Sequence, residues 1–186
     1  MKTPAEYREM EFAELFVALA KLFKPKEYFE LGVKKGYTIK QMSRYCEKAT
    51  GIDIKIPHID HVEYPNIKLI ENTTLDYAKS LVGTEPFIDM LFIDADHRYE
   101  SVIADFHAYS PFVKFGTGLI FLHDTHPIKQ ELLAPGYCND AWRAAESIHR
   151  NPDKLHFEIA TLPGPWAGLS IIRKLNPRHH LAWIGA

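Results

Sequence analysis

The sequence predicts an α/β protein built on a doubly wound sheet of seven strands, mostly parallel, with the last strand antiparallel. Three observations carry that expectation. Short apolar runs alternate with stretches of helical periodicity, the pattern of βαβ units. The first run closes at Gly32, immediately before a helical stretch. The last two runs are joined by so short a loop, around Pro163-Gly164-Pro165, that they must pair antiparallel.

Phe12, Leu15, Phe16, Leu19, Leu22 and Phe23 recur at intervals of three and four, so Glu9 to Phe23 reads as an amphipathic helix ended by Pro25. Tyr28 to Leu31 is the first strand. Thr38 caps a helix reaching about Lys48, with Ile39, Met42 and Tyr45 inward. Strands at Gly51 to Ile56 and Ile67 to Ile70 follow, then a helix from Leu75 to Val82. Ile88 to Ile93 is the fourth strand, and Tyr99, Val102, Ile103 and Phe106 mark the next helix. Gly116-Thr117-Gly118 turns the chain into a fifth strand, Leu119 to Leu122, followed by a helix from Asp140 to Arg150. Leu155 to Thr161 and Leu169 to Lys174 complete the set. The order defines an N-terminal helix (1–25) packing on one domain (26–175), then a C-terminal tail (176–186).

Composition narrows the class of function. A 186-residue chain that is 46% hydrophobic and 25% charged has the balance of a soluble globular protein with a sizeable core. A formal net charge of -2 offers no basic patch for nucleic acid, so none is expected as partner. No apolar run approaches the ~20 residues that span a bilayer, and no membrane association is expected. The opening residues, Met1 to Glu6, lack an apolar signal core. Cys46 and Cys138 are far apart with no CxxC spacing, so both are expected reduced in a cytoplasmic protein.

The chemistry concentrates where two strands end. Leu91-Phe92-Ile93 stops at Asp94-Ala95-Asp96-His97, and the fifth strand stops at His123-Asp124-Thr125-His126. Neighbouring parallel strands deliver such residues to one carboxyl rim, where open α/β sheets bind ligands. A metal or acid/base site follows. The competing reading is local: Asp94 and Asp96 cap the helix beginning near Tyr99, with His97 and Arg98 merely exposed.

Glu30-Leu31-Gly32-Val33-Lys34-Lys35-Gly36 places two glycines four apart between strand and helix. Glycine allows positive φ and a close approach to backbone, and the helix start offers unpaired N–H groups. The spacing is neither the dinucleotide GxGxxG nor a P-loop, and a plain tight turn explains it as well. Asp53, near the end of the second strand, adds an acid where ribose hydroxyls are held. Asp60 and Glu63 compete for that role.

The ELGVKKG turn, the GIDI strand, FIDADHRYESVIADF and GTGLIFLHDT together resemble a class I S-adenosylmethionine-dependent methyltransferase over residues 26–175. The nearest likeness is to the small metal-dependent sugar and macrolide O-methyltransferases, related to the catechol-type enzymes. The resemblance implies a Rossmann-like fold, S-adenosyl-L-methionine as cofactor and a small-molecule acceptor such as a sugar hydroxyl. By the same resemblance Glu30, Gly32 and Gly36 surround the methionine part of the cofactor, Asp53 its ribose, and Asn72 and Thr73 its adenine. Asp94, His123 and Asp124 occupy the positions of the metal ligands, for Mg²⁺ or a similar divalent ion. Relatives usually carry an acid where His123 stands. Asp94 would act on the acceptor oxygen with the metal. His97 takes the place of a general base, since an imidazole near its ordinary pKa accepts a hydroxyl proton at neutral pH.

Secondary expectations complete the reading. His126 either supports the rim ligands from behind or contacts substrate. His58, His61, His107, His149 and His156 are surface groups, and His179-His180 belongs to the tail. Tyr137, Trp142 and Trp166 approach the rim and pack a flat substrate, although Trp142 fits a core position equally. The N-terminal helix covers the cofactor or forms a homodimer contact. Two other classes of function compete: a non-catalytic nucleoside- or partner-binding domain, and a metal-dependent hydrolase using the same acid and histidine rim.

Overall fold

The computed structural model describes residues 12–150, 157–164 and 167–175. Its element order is α1 (Ala13–Phe23), β1 (Glu27–Leu31), α2 (Tyr37–Ser43), β2 (Lys48–Asp53), β3 (Ile67–Glu71), α3 (Thr74–Ser80) and β4 (Met90–Ile93). There follow α4 (Tyr99–Tyr109), β5 (Leu119–His123), α5 (Ala141–Arg150), β6 (Phe157–Leu162) and β7 (Leu169–Lys174). All seven strands form one sheet in the order β3-β2-β1-β4-β5-β7-β6. The first five run parallel; β7 is antiparallel to both β5 and β6. The expected α/β sheet, with its antiparallel last strand, is the observed one.

Alternation along the strands builds two cores. Phe29 and Leu31 of β1 join Leu91, Ile93, Ile120 and Leu122 beneath α4 and α5. Tyr28 joins Met90, Phe92 and Phe121 beneath α1 and α2, which contribute Phe16, Ala20, Ile39 and Met42. Side chains of successive strand residues point to opposite faces, so every central strand feeds both layers. α1 ends at Lys24, whose left-handed backbone (φ 49) returns its N–H to Ala20 O, and Pro25 follows. Residues 9–11 of the expected helix lie outside the described residues, as do the expected strand start at 155–156, Trp166, His156 and the C-terminal tail. No helix among the described residues is long and apolar enough to cross a membrane.

Several boundaries move from their expected positions. Thr38 does not cap α2; Gly36, with φ 74, stands at the cap, and no side chain caps the helix. The helix stops at Ser43 rather than Lys48, because Asn66 Nδ2 donates to the carbonyls of Ser43 (2.7 Å) and Cys46 (3.0 Å). That releases Lys48, whose N–H donates to Lys26 O at 2.8 Å and starts the β1–β2 ladder three residues early. β2 consequently ends at Asp53, not Ile56. Thr73 caps α3, accepting from Asp76 N at 3.1 Å, so this helix runs Thr74–Ser80 rather than Leu75–Val82. Ile88 forms an isolated bridge to Val113 instead of extending β4.

Candidate active site at the carboxyl edge of the sheet

The carboxyl ends of β1, β2, β4 and β5 open into one cleft of about 1010 Å³. Glu30, Gly32, Asp53, Asp94, His97, His123 and Asp124 all line it. Four strand ends and two loops therefore bring together residues spread over most of the chain.

Gly32 has φ +86, and a Cβ built there would lie 2.4 Å from Asp94 O and 2.5 Å from Ala95 Cα. Only glycine lets the turn after β1 lie against the turn after β4. Asp53 then fastens the glycine turn: its Oδ2 accepts from Val33 N (2.8 Å) and Lys34 N (2.9 Å), and its Oδ1 from Lys55 N (3.0 Å). Asp60 accepts from Val62 N, and Glu63 pairs with Arg44 at 3.5 Å; neither lines the cleft. Of the three acids weighed on the second strand and its loop, Asp53 alone is there. Asn72 and Thr73 do not line the cleft, and Thr73 serves as the α3 cap. Asn72 is nonetheless tied to the cleft wall, donating its N–H to Asp53 O at 3.0 Å.

Glu30 is buried at the floor, and Tyr28 Oη donates to its Oε2 at 2.6 Å. Burial pushes the Glu30 carboxyl well above its ordinary range; the Tyr28 hydrogen bond opposes that, and the charges of Asp94 and Asp53 reinforce it. Reading the sequence missed Tyr28. The signal was present, because residues two apart on a strand share a face.

The acid and histidine group lines the same cleft. His123 Nδ1 lies 2.9 Å from Asp94 Oδ1 and 3.3 Å from Asp124 Oδ1. Those three side chains offer ligand atoms all within 4.8 Å of one another. His97 Nδ1 is 2.9 Å from Asp124 Oδ2 and also contacts the Tyr137 carbonyl, while its Nε2 is 3.3 Å from Asp94 Oδ1. Asp124 holds a left-handed backbone, φ 59. Such a conformation costs a non-glycine residue of order 1 kcal/mol and recurs at functional sites.

Electrostatics follow from this interleaving. Burial disfavours charge on His97, yet the Asp124 and Asp94 carboxylates outweigh it and push its pKa up to about 11. Burial opposes charge on Asp94 as well, and His123 and His97 hold it well below the usual carboxylate range. Asp124 is lowered in the same way, by His123 and His97 against its burial. His97 is therefore protonated at neutral pH in this state, contrary to the expectation of an ordinary imidazole pKa. The local reading of Asp96 is also revised. Asp96 accepts from Arg98 N and Ser101 Oγ, but the first N–H of α4, at Tyr99, donates to Asp140 Oδ1 at 2.7 Å.

Other candidates fall elsewhere. Tyr137 lines the cleft, whereas Trp142 and His126 line a separate depression of about 390 Å³ with Ile128 and Leu133. Trp142 is exposed rather than core. His58, His61, His107 and His149 are exposed, as expected. Phe12 sets its ring edge-on to His123, 6.2 Å between centroids, a contact across the molecule that no local pattern announced.

A seven-stranded sheet in this order, with glycine turn, Asp53 and the acid/histidine group on its carboxyl edge, defines the class I methyltransferase fold. A family model described as a methyltransferase domain matches residues 29–125. The chain belongs to that family, the class I S-adenosylmethionine-dependent methyltransferases. A comparison with curated proteins gives no match. Among solved structures, an O-methyltransferase from Bacillus cereus in complex with SAH shares 16% identity at a TM-score of 0.67, covering 94% of this chain and 83% of that one. The O-methyltransferase TomG from Streptomyces achromogenes, involved in tomaymycin synthesis and solved with SAM, shares 16% at 0.63, covering 88% and 79%. The SAH-bound methyltransferase PaMTH1 of Podospora anserina shares 16% at 0.69, covering 95% and 80%. These likenesses are of fold.

Proposed function

We propose that this methyltransferase transfers the methyl group of S-adenosylmethionine to a hydroxyl oxygen of a small-molecule acceptor, with a divalent cation at Asp94, His123 and Asp124. One observation carries the reading: the glycine turn with Asp53 and the acid/histidine group line a single cleft. Similar folds solved with SAH or SAM are described as O-methyltransferases, which supports oxygen as the acceptor atom.

At the cofactor end, Glu30 faces the methionine part with one carboxylate oxygen already held by Tyr28. Gly32 and Gly36 would allow the backbone to come close and Asp53 would meet the ribose, while Asn72, outside the cleft lining, would act only through its hydrogen bond to Asp53 O. At the acceptor end, the hydroxyl oxygen must lie in line with the methyl–sulfur bond. The O–CH₃ bond would form as the S–CH₃ bond breaks, the sulfonium would become a neutral thioether, and the hydroxyl proton would pass to His97.

The donor set fits a cation. His123 Nδ1 is buried and has no hydrogen-bond partner among the described residues, although two carboxylates lie beside it. A bound divalent ion would supply Lewis-acid polarisation of the acceptor hydroxyl. His97 is the proton acceptor only when Asp94 and Asp124 are engaged elsewhere, since their charge otherwise keeps it protonated. Base and cation site are thus tied to the same pair of carboxylates.

The test is formation of S-adenosylhomocysteine from S-adenosylmethionine across a panel of polyols, sugars and catechols, with and without a chelator. Product whose methyl group sits on oxygen supports the reading. Methylation confined to nitrogen or carbon acceptors, or rates untouched by both chelation and Asp94→Ala, removes the corresponding part.

A further inference from the structure

His123 gives the candidate cation site a nitrogen donor that is held in place beside two carboxylates. Its side chain is about nine-tenths buried, with only 10% exposed. Its ring stands between two aromatic edges: Phe12 at 6.2 Å and 85°, and Phe92 at 5.8 Å and 80°. These contacts hold the plane of the imidazole, with Nδ1 beside Asp94 and Asp124. A histidine whose only task was ion pairing would aim an N–H along a carboxylate lone pair. This one approaches at 2.9 and 3.3 Å without completing a hydrogen bond.

Resting on the cation site proposed above, we infer that His123 makes the site selective for a borderline transition-metal dication of the Fe²⁺, Co²⁺ or Zn²⁺ type over Mg²⁺. The argument is donor chemistry. Mg²⁺ takes oxygen ligands in near-octahedral geometry and keeps its waters. Imidazole nitrogen suits iron, nickel and zinc, and one nitrogen with two carboxylates is a donor set those ions share. Neither Cys46 nor Cys138 lines the cleft, so the site offers no thiolate to draw it toward soft ions. Phe12 serves as a positioning residue through the imidazole, and gives α1 a task at the site.

Every donor set binds Co²⁺ better than Mg²⁺ to some degree, so the discriminating quantity is the change in their ratio when the nitrogen is removed. Untagged protein is titrated calorimetrically with CoCl₂ and with MgCl₂, as wild type, His123→Asp and Asp94→Asn. The visible Co²⁺ absorption is recorded in parallel, and folding is checked by circular dichroism. The expected result is one Co²⁺ per chain in wild type, lost in Asp94→Asn. In His123→Asp the Co²⁺-to-Mg²⁺ preference should fall by about tenfold or more, with a shifted absorption band. An unchanged ratio and band in folded His123→Asp would overturn the selectivity while leaving the site intact. Should His123→Asp not fold, Phe12→Ala is the second variant, expected to weaken Co²⁺ more than Mg²⁺; equal weakening overturns the inference. Absence of saturable binding by either ion in wild type would overturn both the inference and the cation site beneath it.

Discussion

The Tyr28 hydroxyl donates to Glu30 Oε2 at 2.6 Å, joining two residues that are 1% and 2% exposed. The phenol reaches along one face of β1 from the hydrophobic layer to the cleft floor. It holds one oxygen of a buried carboxyl that lines the cleft.

Tyr28→Phe deletes only that donor. A buried acceptor left without its partner costs about 1–3 kcal/mol, so the variant should melt lower and bind S-adenosylhomocysteine more weakly. Urea denaturation and calorimetry measure the two effects. Unchanged cofactor affinity in a destabilised variant would reduce Tyr28 to a core residue.

Gly32→Ala tests the contact between the turns after β1 and β4. The new Cβ would sit 2.4 Å from Asp94 O at a φ of +86, so backbone must move. Cofactor binding and methyl transfer should both collapse. Gly116→Ala is the control, since its φ is also positive (+77) but nothing lies within 4 Å. It should cost about 1 kcal/mol of stability with activity retained.

Asp105 predicts a pH dependence of stability away from the site. Burial raises its carboxyl to about 6 from 3.8; the Thr74 hydrogen bond, 2.5 Å, opposes that, and Asp96 adds to it. The folded state therefore binds a proton more tightly than the unfolded chain. Its contribution is fully present below about pH 4 and is lost as pH rises through 6. Asp105→Asn keeps an acceptor for Thr74 and removes the titration. It should be more stable than wild type above pH 6, by an amount of order 2 kcal/mol, and the gap should close toward pH 4. Denaturant midpoints across that range check it.

Lys174 anchors the far edge of the sheet. Its Nζ donates to the carbonyls of Ser110 (2.8 Å), Pro111 and Val113 (both 3.3 Å), beneath the Phe115 ring. Lys174→Met should destabilise by about 1–3 kcal/mol while leaving cofactor affinity unchanged, because these contacts lie away from the cleft.

The sheet was legible because β4 and β5 are short apolar runs alternating with helical stretches, and the gathering of Asp94, His123 and Asp124 followed once those strands were neighbours. Gly32 and Asp53 were legible as types at strand ends, though not in their partnership: Asp53 braces the glycine turn through backbone N–H groups 19 and 20 residues away. Asn66 ended α2 early through two carbonyls, which no periodicity in residues 37–48 displays. His97 was placed at the rim correctly, but its protonation depends on Asp124 and the Tyr137 carbonyl, both brought in by another loop. Phe12 against His123 belongs to the same class, a tertiary contact between distant segments.

The central claim is that one cleft binds the cofactor at its Asp53 end and acts on the acceptor at its Asp94 end. Calorimetric titration with S-adenosylhomocysteine of wild type, Asp53→Ala and Asp94→Asn tests it most directly. Single-site binding is predicted for wild type, weakened about tenfold or more in Asp53→Ala and kept in Asp94→Asn, which alone loses methyl transfer. No binding to folded wild type at millimolar ligand, or equal binding in Asp53→Ala, would contradict it.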